Sequence, residues 1–315
     1  MEIRSLGSLS VSVVGLGCNN LGLRLDQAGT NEVVAAALDT GINFFDTADV
    51  YGKTRSEELL GRALGSRRPQ VVIATKFGIK LDEERRGGAA PAYIRRAAED
   101  SLRRLGTDYI DLYQLHRPDP SVPLEDTLGA LDELVRAGKV REIGCSNFSA
   151  DEIREGESKR RAGGARFVSV QNEYSLLERS IEGETLREIS SRGLGLLPYF
   201  PLASGLLSGK YDKGRPLPTG SRLANPIFQF GDRFANERNF TIVEALTDFA
   251  RAHGRSLLEL ALSWLRAKPE VASIIAGATS PAQVVANVAS SNWKLTAVEL
   301  EAIDALAPRS GAKAA

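Results

Sequence analysis

The sequence holds two cysteines, two histidines, one methionine and two tryptophans in 315 residues. Cys18 and Cys145 are too few for a disulfide framework or a thiolate-rich zinc site. With His116 and His253 as the whole histidine complement, the His-rich metal centre of many barrel hydrolases cannot be assembled either. Excess charge is missing too: forty basic side chains balance forty acidic ones. No bulk field therefore draws the chain to phosphate backbones or anionic lipid, so neither nucleic acid nor membrane is an expected partner. No apolar run approaches the ~18 residues of a membrane span. The opening stretch MEIRSLGSLSVSVVGLGCNN lacks the basic start and unbroken apolar core of a secretion signal. A cytoplasmic location with reduced thiols is expected.

What is present suits a large globular fold, with 43 % hydrophobic and 25 % charged residues. Eight short apolar runs read as buried strands: VSVVGLG from Val11, INFF from Ile42, VVIAT from Val71, IDLYQL from Ile110, VREIG from Val140, FVSV from Phe167, LLPYF from Leu196 and VASII from Val271. Few alternate cleanly, as expected of strands covered on both faces in a parallel sheet. Helical patterns separate them. One follows Thr30 and stops at Gly41, and one opens on a Thr54/Glu57 capping box and stops at Gly65. Others begin at Pro91 and Leu124, at the Ser149/Glu152 and Ser256/Glu259 boxes, and at Ser280-Pro281. Alternating signals near Val298 to Leu306 form the tail. Eight strand-then-helix units with no linker predict one domain over residues 1–315, an α/β fold closed into a (β/α)₈ barrel with an N-terminal hairpin and extra helices. The stretch from Pro201 to Asn236, rich in Gly, Pro and Arg, is long for a connection and is expected over the C-terminal face, where barrels build their sites.

Three successive strands each end in a polar group, Asp46, Lys76 and His116, and Tyr51 lies in the loop after Asp46. Such a set suits proton donation to a carbonyl oxygen while hydride arrives at carbon. A phenol of pKa ~10 is a slow acid at neutral pH. One ammonium ~4 Å away offers on the order of 4 kcal/mol at an effective dielectric of 20, enough to lower that pKa by about three units. Asp46 would keep Lys76 charged, and His116 would orient the substrate oxygen.

The segments GINFFDTADVYG, SEELLGRAL, ATKFG, DLYQLHRPD, GCSNFS, VQNEYSLL, PYFPLASGLLSGKY and IIAGATSPAQVVANV follow one another in the order that marks the aldo-keto reductases, and the chain resembles that family from about Gly15 to Asn287. The resemblance implies carbonyl reduction with NADPH and no metal, with Tyr51 as general acid, Lys76 and Asp46 tuning it and His116 completing the tetrad. It further implies that Ser146, Asn147 and Gln171 bond the nicotinamide carboxamide and that Tyr199 stacks on its ring, with Cys18 and Asn19 nearby. Phe200, Pro201, Leu202, Ser204, Gly205, Leu206 and Lys210 match the pyrophosphate-covering loop, with Arg222 in its second half, and Gly277, Thr279, Gln283 and Asn287 match the 2′-phosphate and adenine pocket. Ala286 stands where the family often carries a carboxylate toward the adenine amine. Lys210 and Arg222 supply charge for a 2′-phosphate, which favours NADPH over NADH. The alternative implied by the same resemblance is an NADPH-holding regulatory barrel similar to channel-associated β subunits, against which His116 stands.

A small carbonyl compound is the expected partner. Its identity is expected to lie in loops 20–26, 80–88 and 215–233, with Phe77, Phe228, Phe230 and Phe234 as candidate apolar lining. Two phosphate-loop lookalikes fail: Gly15-Leu16-Gly17 lacks the third glycine of a dinucleotide fingerprint, and Gly205 to Lys210 is a residue short of a P-loop. His253 before Gly254 reads as a helix-terminal cation, and Lys159, Arg160 and Arg161 as a solvated helix end. The two cysteines read as packed small residues.

Overall fold

The computed structural model describes residues 1–80, 87–224 and 230–309. Among them lie ten strands: β1 (Ile3–Leu6), β2 (Leu9–Ser12), β3 (Val14–Gly17), β4 (Phe44–Asp46), β5 (Val72–Phe77), β6 (Ile110–Leu115), β7 (Val140–Ser146), β8 (Phe167–Gln171), β9 (Gly195–Leu196) and β10 (Ile274–Gly277). β3 to β10 form one parallel sheet in the order β10-β3-β4-β5-β6-β7-β8-β9. A bridge between Leu196 and Val271 joins its two ends. Leu196 N donates to Glu270 O at 2.7 Å and Ala272 N to Leu196 O at 2.8 Å, so the sheet closes into a (β/α)₈ barrel. Every residue of β5, β6 and β8 is buried, which is why these runs do not alternate.

Eleven helices surround or follow the strands: α1 (Gln27–Asp39), α2 (Arg55–Leu64), α3 (Pro91–Leu105), α4 (Leu124–Arg136), α5 (Ala150–Lys159), α6 (Glu184–Ser191), α7 (Gly231–Phe234), α8 (Glu237–Ala252), α9 (Leu257–Arg266), α10 (Pro281–Ala289) and α11 (Ala297–Leu306). The boxes at Ser149/Glu152 and Ser256/Glu259 form, and a further one at Thr296/Glu299 makes the tail a helix. Two boundaries differ from the sequence reading. α1 starts four residues before the pattern at Thr30, because Asp26 accepts from Gly29 N at 3.0 Å and caps it there. The Thr54/Glu57 box does not form. Thr54 sits at φ +78° without a capping bond, and Glu57 is buried, accepting from Thr75 Oγ1 at 2.5 Å and Arg104 Nε at 2.6 Å. A charged partner in the core outcompetes the helix end.

The run from Val11 also divides. Its first half, β2, pairs with β1 in an antiparallel hairpin, and the chain bends at Val13, whose N–H bonds Glu2 O at 3.0 Å, before entering the barrel as β3. Leu6, Leu9 and Val11 of this hairpin pack on Phe44, Val72, Leu112, Val168 and Ile275, so the hairpin plugs the barrel's N-terminal end. Burying two leucines there is worth roughly 1.5–3 kcal/mol each. The larger core lies between sheet and helices and holds Trp264, Tyr174 and Tyr113.

Helix packing is tight enough to require glycine. A Cβ at Gly61 on α2 would stand 2.3 Å from Leu105 O at the end of α3. Ala gains up to about 1 kcal/mol in helix propensity, but overpacking against backbone costs typically 1–3 kcal/mol. Gly61→Ala is therefore expected to destabilise the fold despite being the better helix former. Urea unfolding with a higher midpoint in the variant would contradict that packing argument.

Candidate active site

The barrel interior changes character along its length. Phe44, Ala74 and Leu112 face the apolar plug, and two residues later on the same strands come Asp46, Lys76 and Gln114. Lys76 is fully buried. Its Nζ donates to Asp46 Oδ1 at 2.6 Å and Thr47 O at 2.8 Å, and lies 3.5 Å from Tyr51 Oη. The other carboxylate oxygen of Asp46 accepts from Gln171 Nε2 at 2.8 Å and Gln114 Nε2 at 3.4 Å. Gln114 was not singled out in the sequence, although its place two residues after Leu112 in a buried strand was the available signal. Glycine makes room for this layer, since a Cβ at Gly144 would stand 2.2 Å from Ser169 Oγ and 3.2 Å from Gln114 Cγ.

Tyr51 is half-buried in a loop that the barrel holds at several points. Thr47 N donates to Ala74 O at 2.8 Å, Asp49 N to Lys76 O at 3.2 Å and Ser56 N to Tyr51 O at 3.2 Å. His116 follows β6, and its ring meets Tyr51 edge-on with centroids 5.9 Å apart. Burial pushes the Tyr51 phenol above its ordinary pKa; Lys76 pulls it down, while Asp46 pushes it up again. The expected lowering by Lys76 alone is thus corrected, because desolvation and the carboxylate paired with Lys76 together outweigh the ammonium. For Lys76 itself burial acts downward, but Asp46 and Tyr51 more than offset it and the ammonium is held above its usual value. Burial, then Lys76 and Arg117, lower His116 to about 2, so its imidazole is neutral across the physiological range.

A cavity of about 810 Å³ opens over these groups, floored by Tyr51, His116 and Asp46. Lys76 sits beneath and does not line it. Of the cofactor residues named from the sequence, all line the cavity except Leu206, which is fully buried in the core. Cys18 lines it while buried, its thiol pushed well up by burial, and Cys145 is buried behind β7, so both are packed thiols without a partner cysteine. Ser146, Asn147 and Gln171 are tied together: Ser146 Oγ donates to Gln171 O at 2.8 Å, and Asn147 bonds His116 O at 3.0 Å and Tyr199 Oη at 2.7 Å. Among the candidate apolar residues Phe230 lines the cavity. Phe77 does not, being fully buried against Tyr113, and Phe234 packs behind Phe230 and Phe200. Phe228 and residues 81–86 lie outside the described residues. Asn20, Arg24 and Arg233 line the cavity from the loops 20–26 and 215–233 named for substrate identity, whereas Arg117, Ser208 and Leu258 are lining residues that sequence reasoning did not single out.

The segment after β9 covers one arm of the cavity with unusual backbone. Phe200, Ala203 and Ser204 have φ of +50°, +46° and +56°, beside Gly205 at +97°. A left-handed non-glycine residue costs roughly 1–2 kcal/mol, and such strain collects at ligand-binding segments. Ser204 Oγ, aimed into a buried position on this arm, has no hydrogen-bond partner among the described residues.

Residues 13–308 match the model of the aldo/keto reductase family. The chain belongs to that family. It is 37 % identical over 303 residues to a probable aldo-keto reductase 1 of Glycine max, covering 93 % of this chain and 84 % of that one. It is 36 % identical over 297 residues to a probable voltage-gated potassium channel subunit beta of Oryza sativa subsp. japonica, covering 91 % and 90 %. The holo form of the aldo-keto reductase AKR11C1 from Bacillus halodurans superposes with a TM-score of 0.82 at 35 % identity, covering 98 % of this chain and 97 % of that one. An oxidoreductase of the aldo/keto reductase family with a nicotinamide cofactor is the coarse reading these relatives support. No helix among the described residues is long and apolar enough to cross a membrane.

The same loop carries a second buried acid. No side chain pairs with the Asp49 carboxylate among the described residues, and burial, then Glu57, raise it to about 7 against the opposing pull of Arg104, the Val50 backbone N–H and Lys76. Its native pKa exceeds the unfolded value, so the folded state keeps a proton that the unfolded state loses as pH rises from about 4 to about 7. Stability falls through that window, by on the order of a few kcal/mol, and stays lowered above it. Asp49→Asn, which has no proton to lose, is expected to match the wild type at pH 4 and to melt higher at pH 8; equal melting temperatures at pH 8 would refute this assignment.

Proposed function

We propose that this protein is an NADPH-dependent carbonyl reductase in which Tyr51 is the proton donor. The observation that carries the reading is the protonated Tyr51 phenol on the cavity floor, 3.5 Å from the ammonium of a buried Lys76–Asp46 pair and beside a neutral His116. A donor must hold its proton until the oxygen needs it, and burial keeps Tyr51 protonated. As the proton leaves, the nascent phenolate faces Lys76, whose charge Asp46 secures and the two glutamines orient. Neutral His116 is suited to hydrogen-bond the substrate oxygen without competing for the proton.

The donor set fits a polyanionic cofactor. Arg24, Arg117, Lys210, Arg222 and Arg233 line the cavity against one carboxylate, Asp46, which Lys76 neutralises. The volume lies in the ~300–1,000 Å³ range of ligand sites, and the Ser204 hydroxyl offers a free buried donor on the arm that Lys210 and Arg222 share. When bound, the reduced nicotinamide supplies hydride. Tyr199, held by Asn147, is placed to position the ring, and Lys210, Arg222 and Gln283 are placed to hold the phosphate and adenine end. A small carbonyl compound is the proposed partner and the cytoplasm the proposed location.

Loss of NADPH absorbance with a panel of aldehydes and ketones tests the reading. Tyr51→Phe is expected to lower kcat by about 10²-fold or more, the usual worth of a general acid, while NADPH still binds. The pH profile of kcat/KM is expected to show no step near the ordinary histidine pKa of ~6.5, because His116 stays neutral. NADPH binding without turnover of any carbonyl would instead favour a regulatory barrel, the reading to which the relatives named as potassium channel subunits point.

A further inference from the structure

Of the five cations that line the cavity, four are engaged. Arg233 Nη2 pairs with Glu173 Oε2 at 2.5 Å, Arg24 donates to Gly220 O at 3.2 Å, Arg222 lies over the Phe200 and Phe230 rings, and Lys210 lies over Tyr211. Arg117 is different. It makes no hydrogen bond or ion pair among the described residues, although it directly follows His116 and lines the cavity.

Its backbone is nonetheless fixed. His116 N donates to Phe77 O at 2.9 Å, Asn147 Nδ2 donates to His116 O at 3.0 Å, and Pro118 and Pro120 flank an Asp119 that accepts from Ala89 N at 2.9 Å and Ser121 N at 3.0 Å. Arg117 is an exposed side chain on a fixed loop, and it lines the cavity as the immediate neighbour of His116. Its field reaches both His116 and Tyr199, each of which it pulls down. No uncompensated acid lines the cavity to answer it, since Asp46 belongs to Lys76.

We propose that Arg117 is the docking group for a carboxylate on the substrate, so that the preferred substrates are aldehydes or ketones bearing a carboxylate a few atoms from the carbonyl. The inference rests on the carbonyl-reductase reading and names its substrate class. A guanidinium binds a carboxylate through two parallel N–H···O bonds, which fixes orientation as well as position. One arginine without an ion pair among the described residues matches a monoanion, while Lys210 and Arg222 are the cations proposed above for the phosphate end of the cofactor. Phe230 offers an apolar wall for the carbon chain between the two ends.

The test compares 4-carboxybenzaldehyde with methyl 4-formylbenzoate, its neutral ester, on wild type, Arg117→Gln and Arg117→Lys with NADPH. The acid is expected to exceed the ester in kcat/KM by about fivefold, the worth of a partly exposed ion pair, and less as salt is raised. Arg117→Gln is expected to bring the ratio to about one through a higher KM for the acid, and Arg117→Lys to restore part of it. Both aldehydes are read on the same protein, so a merely structural defect lowers them together and leaves the ratio alone. An unchanged ratio in Arg117→Gln overturns the proposal. Calorimetric binding of 4-carboxybenzaldehyde in the presence of NADP⁺ covers the case of no turnover. Binding that weakens in Arg117→Gln then upholds the carboxylate site and overturns the reductase reading, and binding that does not weaken overturns the site.

Discussion

A lysine ammonium buried inside a β-barrel loses its hydration, at a cost of several kcal/mol unless charge and hydrogen bonds replace the water. Lys76 is in that position, and the architecture around it supplies the replacement. Asp46 comes from the neighbouring strand, Thr47 O from the next residue, and Tyr51 Oη from the loop beyond. Asp46 in turn needs partners for its second oxygen, which Gln114 and Gln171 provide from two further strands. Six residues from four strands and their loops are thus locked to one another by the single requirement that no buried charge go unpaired. The hairpin plug closes the opposite end of the barrel with leucine and valine, and the layer opens on the cavity at its other side.

That arrangement also decides the character of Tyr51. A lysine in water beside a phenol would act as an acidifier. Here the same lysine is neutralised by Asp46 at 2.6 Å, and the phenol is itself desolvated, so the proton stays on oxygen in the resting site. In the proposed reaction the ammonium matters once negative charge develops on the phenol, which is when a preorganised charge is worth most. The strained segment from Phe200 to Gly205, the buried Ser204 hydroxyl and the surrounding cations line the other arm of the cavity.

Much of this was legible in residue order. Phe44 to Asp46, Ala74 to Lys76 and Leu112 to Gln114 each step two residues up a strand from apolar to polar, and period two is a property of any strand. Residues scattered from Cys18 to Asn287 that line one cavity could be grouped because their segments follow a familiar order. Other features were not legible. Thr54 and Glu57 have the spacing of a capping box, but the box competes with a buried arginine 47 residues away, and spacing carries no information about Arg104. Leu206 sits in a segment that lines the cavity, yet it is buried in the core, and Phe77 is buried there too, in a strand that does not line the cavity.

The sequence by itself determined the eight apolar runs, the helix starts at Ser149, Ser256 and Ser280, and the polar residue at each strand end, since these depend on neighbours within a turn or a pleat. Only the tertiary structure decided that Asp46 neutralises Lys76, that Gln114 joins Gln171 on Asp46, that Tyr51 keeps its proton, and that among the described residues Arg117 has no ion pair while Arg233 pairs with Glu173. Each of those outcomes depends on desolvation and on distances between residues far apart in the chain. Local patterning fixes which face a side chain takes, and barrel closure fixes what it meets there.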